Sequence, residues 1–177
     1  MTEMIEAQAN DTGLIFKGKS KSMTAAVAVT IAGALTFSMG MNTVFFVEAM
    51  AWTFIIWGGL LFYGHLIDMS TTYEVTEDAL VVRSPLRFWS FGRSMGWSFI
   101  KRLNVVVERA EATEEDAGLQ VIFIPEGTTQ MVREDIPYYS QLAEEIVARA
   151  GLKAARGNGM TKFDAIPQDS KGEYSWQ

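Results

Sequence analysis

No lysine or arginine stands between Lys21 and Arg83, so residues 22–82, 61 in a row, carry no positive charge. Within this gap residues 23–41 read MTAAVAVTIAGALTFSMGM and residues 44–67 read VFFVEAMAWTFIIWGGLLFYGHLI. Both runs reach the roughly 17–25 residues that a bilayer-spanning helix needs. Only Gly40, Met41, Asn42 and Thr43 lie around the break, a turn-prone segment too short to hold a domain. The expectation is a transmembrane helical hairpin over residues 23–67, after a cytoplasmic segment 1–22.

Lys17, Lys19 and Lys21 precede the first run, Arg83 and Arg87 follow the second, and the turn has no cation. The positive-inside rule then puts both termini of a multi-pass protein in the cytoplasm. A cleaved signal peptide is the competing reading, but Glu3 and Glu6 precede the lysines and a second apolar run follows at once. Ala25, Ala28, Ala32 and Gly33 in the first run, with Gly58 and Gly59 in the second, suit close helix packing. Two intramembrane polar residues stand out, Glu48 and His65. Glu48 lies one turn into the second helix, where it reaches the interface or the positive end of the helix dipole. His65, near Tyr63 and Asp68, suits the headgroup layer.

From Asp68 the pattern changes to short apolar and β-branched runs between turn residues, which argues for antiparallel strands. Strands are expected at 71–76 and 79–84 around the turn Glu77-Asp78, then 93–97, 102–109, 119–124 and 128–133, with a short strand or loop at 88–91. Residues 138–150 read YYSQLAEEIVARA, preceded by Pro137 and closed by Gly151. They predict one amphipathic helix burying Tyr139, Leu142, Ala143, Ile146 and Ala150. Residues 68–152 thus form a cytoplasmic domain of six or seven strands and a C-terminal helix, and 153–177 an extended tail. The fold class expected is an α+β membrane protein.

The Tyr73-x-Val75-Thr76 strand, the acidic turn, Leu80-Val81-Val82, and Trp97 followed by Ile100 form a pattern over residues 20–152. With the helical anchor ahead of it, this pattern resembles the bacterial pleckstrin-homology-like membrane proteins. Ser94-Met95-Gly96 stands where that family more often has a proline, and residues 85–91 are unusually aromatic. The resemblance implies an antiparallel β-sandwich or barrel closed by one helix. It also implies kinship with anchored members that assist the assembly of photosynthetic complexes.

Function classes narrow by elimination. The net charge of −6 argues against nucleic-acid binding, which depends on neutralising phosphates. Zero cysteines and one histidine leave no thiolate chemistry, and a haem or metal at His65 lacks a second such ligand. Glu114, Glu115 and Asp116 lack the alternating spacing of a calcium loop. No catalytic residue, cofactor or metal is therefore assigned, and the chain reads as a non-enzyme. An enzyme or transporter working through Glu48 or His65 is the least favoured class.

Arg83, Arg87, Phe88, Trp89, Phe91, Arg93 and Trp97 alternate cations with aromatics next to the second helix and predict a membrane- or partner-docking patch. The opposing expectation is that Trp97 and Phe91 fill the core. Phe163, Ile166, Tyr174 and Trp176 punctuate the tail as candidate anchors on a neighbour. Residues 68–153 carry fourteen acids and nine bases, −5 in all, which favours a protein partner over anionic lipid as main ligand. The function expected is a non-catalytic accessory or assembly subunit of an inner-membrane complex, photosynthetic or respiratory, that docks through hairpin, domain and tail. The alternative is a membrane-bound lipid or small-ligand sensor that binds anionic headgroups through the basic aromatic segment.

Overall fold

A computed structural model describes residues 13–19, 23–40, 43–88, 90, 92–107, 117–156, 159–160, 162–163 and 172–177. Among the described residues the chain is α+β, with three α-helices and two four-stranded antiparallel sheets. It divides into two compact units: residues 17–71 with 84–91, and residues 1–16 with 72–83 and 92–177.

The first unit holds α1 (Thr24–Ser38) and α2 (Phe45–Ser70). At a rise of 1.5 Å per residue, the 26 residues of α2 extend about 39 Å and the 15 of α1 about 22 Å. Only α2 is long and apolar enough among the described residues to cross a bilayer. The expectation of two full-length spans is corrected at α1. Its last turn closes with Met39 N–H donating to Leu35 O, and Gly40 at φ +67° turns the chain away. A glycine in that left-handed conformation is a common helix stop, and it removes the last residues of the expected span.

The face that α1 uses also differs from expectation. Ala26 and Gly33 are buried, whereas Ala25, Ala28 and Ala32 are exposed. A Cβ on Gly33 would lie 2.8 Å from Ala51 O, and one on Gly58 would collide with Thr30 Oγ1. Gly33 meeting Ala51 and Ile55, with Ala26 and Thr30 meeting Gly58, means the contacts run in opposite order along the two helices. Gly59, also expected at this contact, is exposed and would accept a Cβ freely.

In the second unit β1 (Leu14–Lys17), β2 (Thr72–Val75), β3 (Ala79–Arg83) and β4 (Gly92–Gly96) form one sheet in that order. The other sheet runs β7 (Val132–Pro137), β6 (Ala117–Phe123), β5 (Ile100–Val107), β8 (Gly172–Trp176). The β2–β3 register pairs Val75 with Leu80 around the acidic turn, and Thr76 Oγ1 donates to Ala79 O at 2.8 Å. Strict alternation puts Leu119, Val121 and Phe123 of β6 inside, against Leu103, Val105 and Val107 of β5. Helix α3 (Ser140–Ala150) buries Leu142, Ala143 and Ile146 in the same core and ends at Gly151, φ +66°.

Two expectations move. The last strand of the expected domain is 132–137 rather than 128–133, because residues 125–128 are spent on a turn. There Gly127 has φ +77° and the Thr128 N–H donates to Pro125 O. Of the tail expected at 153–177, the described C-terminal end forms a strand of the second sheet. Strand β8 pairs antiparallel with β5, placing Trp176 opposite Leu103 and Tyr174 opposite Val105. Its other side bonds Lys153 and Ala155, so neither edge of β8 is open over those residues.

Candidate membrane-facing site

The outward surface of α2 is the most unusual surface in the chain. Its large side chains point away from the protein along its length: Phe45, Phe46, Trp52, Ile56, Trp57, Leu60, Leu61, Phe62 and Leu66 are all exposed. Only 11% of its most apolar 18-residue stretch is buried. A core helix of a water-soluble protein buries such a stretch, and a contiguous exposed apolar surface marks a membrane or partner contact.

The segment after β3 returns to the far end of this helix. Ser84 Oγ and Thr71 Oγ1 share a buried hydrogen bond of 2.8 Å, and Thr71 Oγ1 donates to Ile67 O. Tyr63 Oη donates to Leu86 O at 2.6 Å. These bonds place Arg87 beside the helix end, within electrostatic reach of Asp68, which also interacts with His65. Arg87 Nε is buried and has no hydrogen-bond partner. Trp57, Leu60, Leu61, Gly64, His65 and Asp68 line a shallow groove of about 270 Å³ along one stripe of α2.

The predicted aromatic–cationic patch is divided between the units, with Arg83, Arg93 and Trp97 in the β-rich one and Arg87 and Phe88 in the helical one. Trp97 is a core residue: its indole Nε1 donates to Thr76 O at 3.2 Å and Glu77 O at 3.0 Å, under the Arg149 guanidinium 5.9 Å from the ring centroid. Arg93 pairs with Glu134 at 2.6 Å, joining the two sheets, and Arg83 pairs with Glu74 at 3.0 Å. Arg87 and Phe88 belong to the helical unit, where Phe88 is 71% exposed. Trp89 and Phe91 lie outside the described residues, as do Glu114, Glu115 and Asp116.

The tail anchors are likewise internal. Phe163, Tyr174 and Trp176 are buried in the domain's own core, with Phe163 and Trp176 rings 4.5 Å apart and Tyr138 Oη donating to Phe163 O. Ile166 lies outside the described residues. Glu48 stands in the first turn of α2, half-buried, where a carboxylate suits the helix dipole. His65 is half-buried in the groove at the other end. No group of three His, Asp or Glu side chains converges to hold a metal among the described residues.

Sequence reading weighed His65 and Asp68 for the headgroup layer and missed that they share one stripe of α2 with Trp57, Leu60, Leu61 and Gly64. The one local signal was Asp68 in the last turn, a carboxylate at the helix end that favours cations. No protein-family model, curated protein or solved structure matches this chain.

Proposed function

We propose that this protein is a membrane-anchored, non-catalytic accessory or assembly subunit of a bacterial inner-membrane complex of photosynthetic or respiratory type. The observation that carries the reading is the exposed apolar length of α2, which exceeds the roughly 30 Å hydrocarbon core. Helix α1 packs beside it through Gly33 and Gly58, completing a hairpin whose shorter arm is accommodated by local bilayer thinning. Lys17 and Lys19 ahead of α1, with no cation in the turn, favour cytoplasmic termini.

The β-rich unit supports a binding role. Its two small sheets and covering helix are consistent with the pleckstrin-homology-like architecture that the Tyr73, Thr76 and Trp97 pattern resembles. The chain as a whole has no cysteine and one histidine, a poor endowment for group transfer or redox work. The surfaces left for docking are those of the helical pair and the domain, since the tail's aromatic residues are used internally.

The test is affinity capture of the full-length protein from native membranes in mild detergent, followed by mass spectrometry and an absorption spectrum of the eluate. A stoichiometric membrane complex is the expected result for a resident subunit. Substoichiometric recovery with newly made subunits is the expected result for an assembly factor. Recovery of a colourless monomer alone would overturn the proposal.

A further inference from the structure

Resting on the reading of α2 as a membrane anchor, we propose that the turn from Ser84 to Phe88 is a second, shallow membrane contact. In it Leu86 and Phe88 insert among the lipids of the leaflet at the C-terminal end of α2. The turn belongs to the helical unit and is fixed there by hydrogen bonds. Ser84 Oγ shares its buried bond with Thr71 Oγ1, Tyr63 Oη donates to Leu86 O, and the Arg87 N–H donates to Ser84 O at 3.0 Å. What this turn shows to its surroundings is the reverse of what water selects. Ser84 is buried and Arg87 half-buried with its Nε covered, while Leu86 is 44% exposed and Phe88 71% exposed. A solvated turn extends its guanidinium and covers its large apolar side chains, whereas a turn that faces hydrocarbon does the opposite.

The level of the turn along α2 identifies its occupant. No acid, base or histidine interrupts α2 between Glu48 and His65, a stretch of about 24 Å at 1.5 Å per residue. Tyr63 stands at the end of that stretch, just ahead of His65 and Asp68. In a spanning helix this is where a tyrosine meets the boundary between hydrocarbon and headgroups. The bond of 2.6 Å from Tyr63 to Leu86 O therefore holds the turn at that boundary. Phe62 and Leu66, next to Tyr63 on the helix surface, are exposed as well, so the turn adjoins the apolar surface that α2 presents to lipid. The Arg87 charge is felt at Asp68 on the helix itself. The outward chemistry of the turn is thus that of Leu86 and Phe88, and it suits the upper acyl chains of a bilayer rather than an anionic headgroup.

The test uses the absence of cysteine from the chain. The full-length protein carrying Phe88→Cys, Ile56→Cys or Ser98→Cys is labelled with an environment-sensitive fluorophore and reconstituted into phosphatidylethanolamine–phosphatidylglycerol vesicles. Quenching is then read with aqueous iodide and with phospholipids that carry a nitroxide near the headgroup or near the chain end. The Phe88→Cys label should be quenched most by the nitroxide near the headgroup and be shielded from iodide. The Ile56→Cys label, on the exposed side of the middle of α2, should respond most to the nitroxide near the chain end, and the exposed Ser98→Cys label to iodide. Adding Leu86→Asp to Phe88→Cys should restore iodide quenching and abolish lipid quenching, because a carboxylate on the same turn resists entry. A Phe88→Cys label open to iodide and untouched by either nitroxide would overturn the proposal in favour of a solvated turn. Shielding from iodide and from both lipids would overturn it in favour of a contact between proteins, and lipid quenching that survives Leu86→Asp would show a label inserting by itself. Loss of lipid quenching at Ile56→Cys would overturn the anchor, whereas an Ile56→Cys label within the bilayer and a Phe88→Cys label outside it leaves the anchor standing without this contact.

Discussion

Trp97 shows how a residue that reads as surface becomes structural. Its indole caps the carbonyls of Thr76 and Glu77 just after β2, and α3 covers it through Arg149. Trp97→Phe keeps most of the buried area but removes the N–H. It should cost about 1–2 kcal/mol, since Thr76 O retains Arg149 as a donor while Glu77 O loses the indole N–H. Urea unfolding of the detergent-solubilised protein measures this, and an unchanged midpoint would show that the indole bonds carry no net weight. Trp176→Ala should be far costlier, about 3–5 kcal/mol, because the ring stacks on Phe163 inside the core. The same unfolding experiment separates the two: a tail that merely dangles would leave stability untouched. Asn104 belongs with these residues, a buried amide satisfied by Ser175 Oγ at 2.9 Å from the same terminal strand.

At the scale of elements, legibility followed locality. Strands β2, β3, β5 and β6 and helix α3 carry their own periodicity, and each lies within a few residues of its expected place. Strands β1 and β8 have four and five residues and no pattern of their own. They are strands because β2 and β5 offer them an edge, which is tertiary information. The partners of the candidate patch were hidden from the sequence for the same reason. Alternating cations and aromatics in sequence say nothing of Arg93 finding Glu134 or of Arg87 returning to α2. What was legible in α1 was its small-residue character, and what was not was the rotation that buries Ala26 and Gly33. That rotation makes a prediction. Gly33→Leu should separate α1 from α2, because even a Cβ comes within 2.8 Å of backbone at Ala51. Ala32→Leu, on the exposed side, should leave the pair intact. Protease resistance of residues 24–70 in detergent distinguishes the two variants, and equal resistance would contradict the assigned face.

For the whole molecule the proposed anchor makes topology across a bilayer the quantity to measure. The chain has no cysteine, so single introduced thiols report location without background. In intact cells Thr43→Cys, next to the turn, should react with a membrane-impermeant maleimide applied from outside. Ser98→Cys, in the exposed 3-10 turn after β4, should react only after permeabilisation. Labelling of both from outside, or of neither, would contradict a hairpin with cytoplasmic termini. Strand β8 also sets an order of events during synthesis. Its partner β5 ends at Val107, whereas Trp176 lies 69 residues further along. At about 5–20 residues per second, the ribosome needs roughly 3–14 s to make that stretch. Throughout that interval α2 has already been made, while one side of β5 stands without its strand. The β-rich unit of this protein is therefore completed only after its helical unit has been made, and that interval is when a chaperone has reason to hold it.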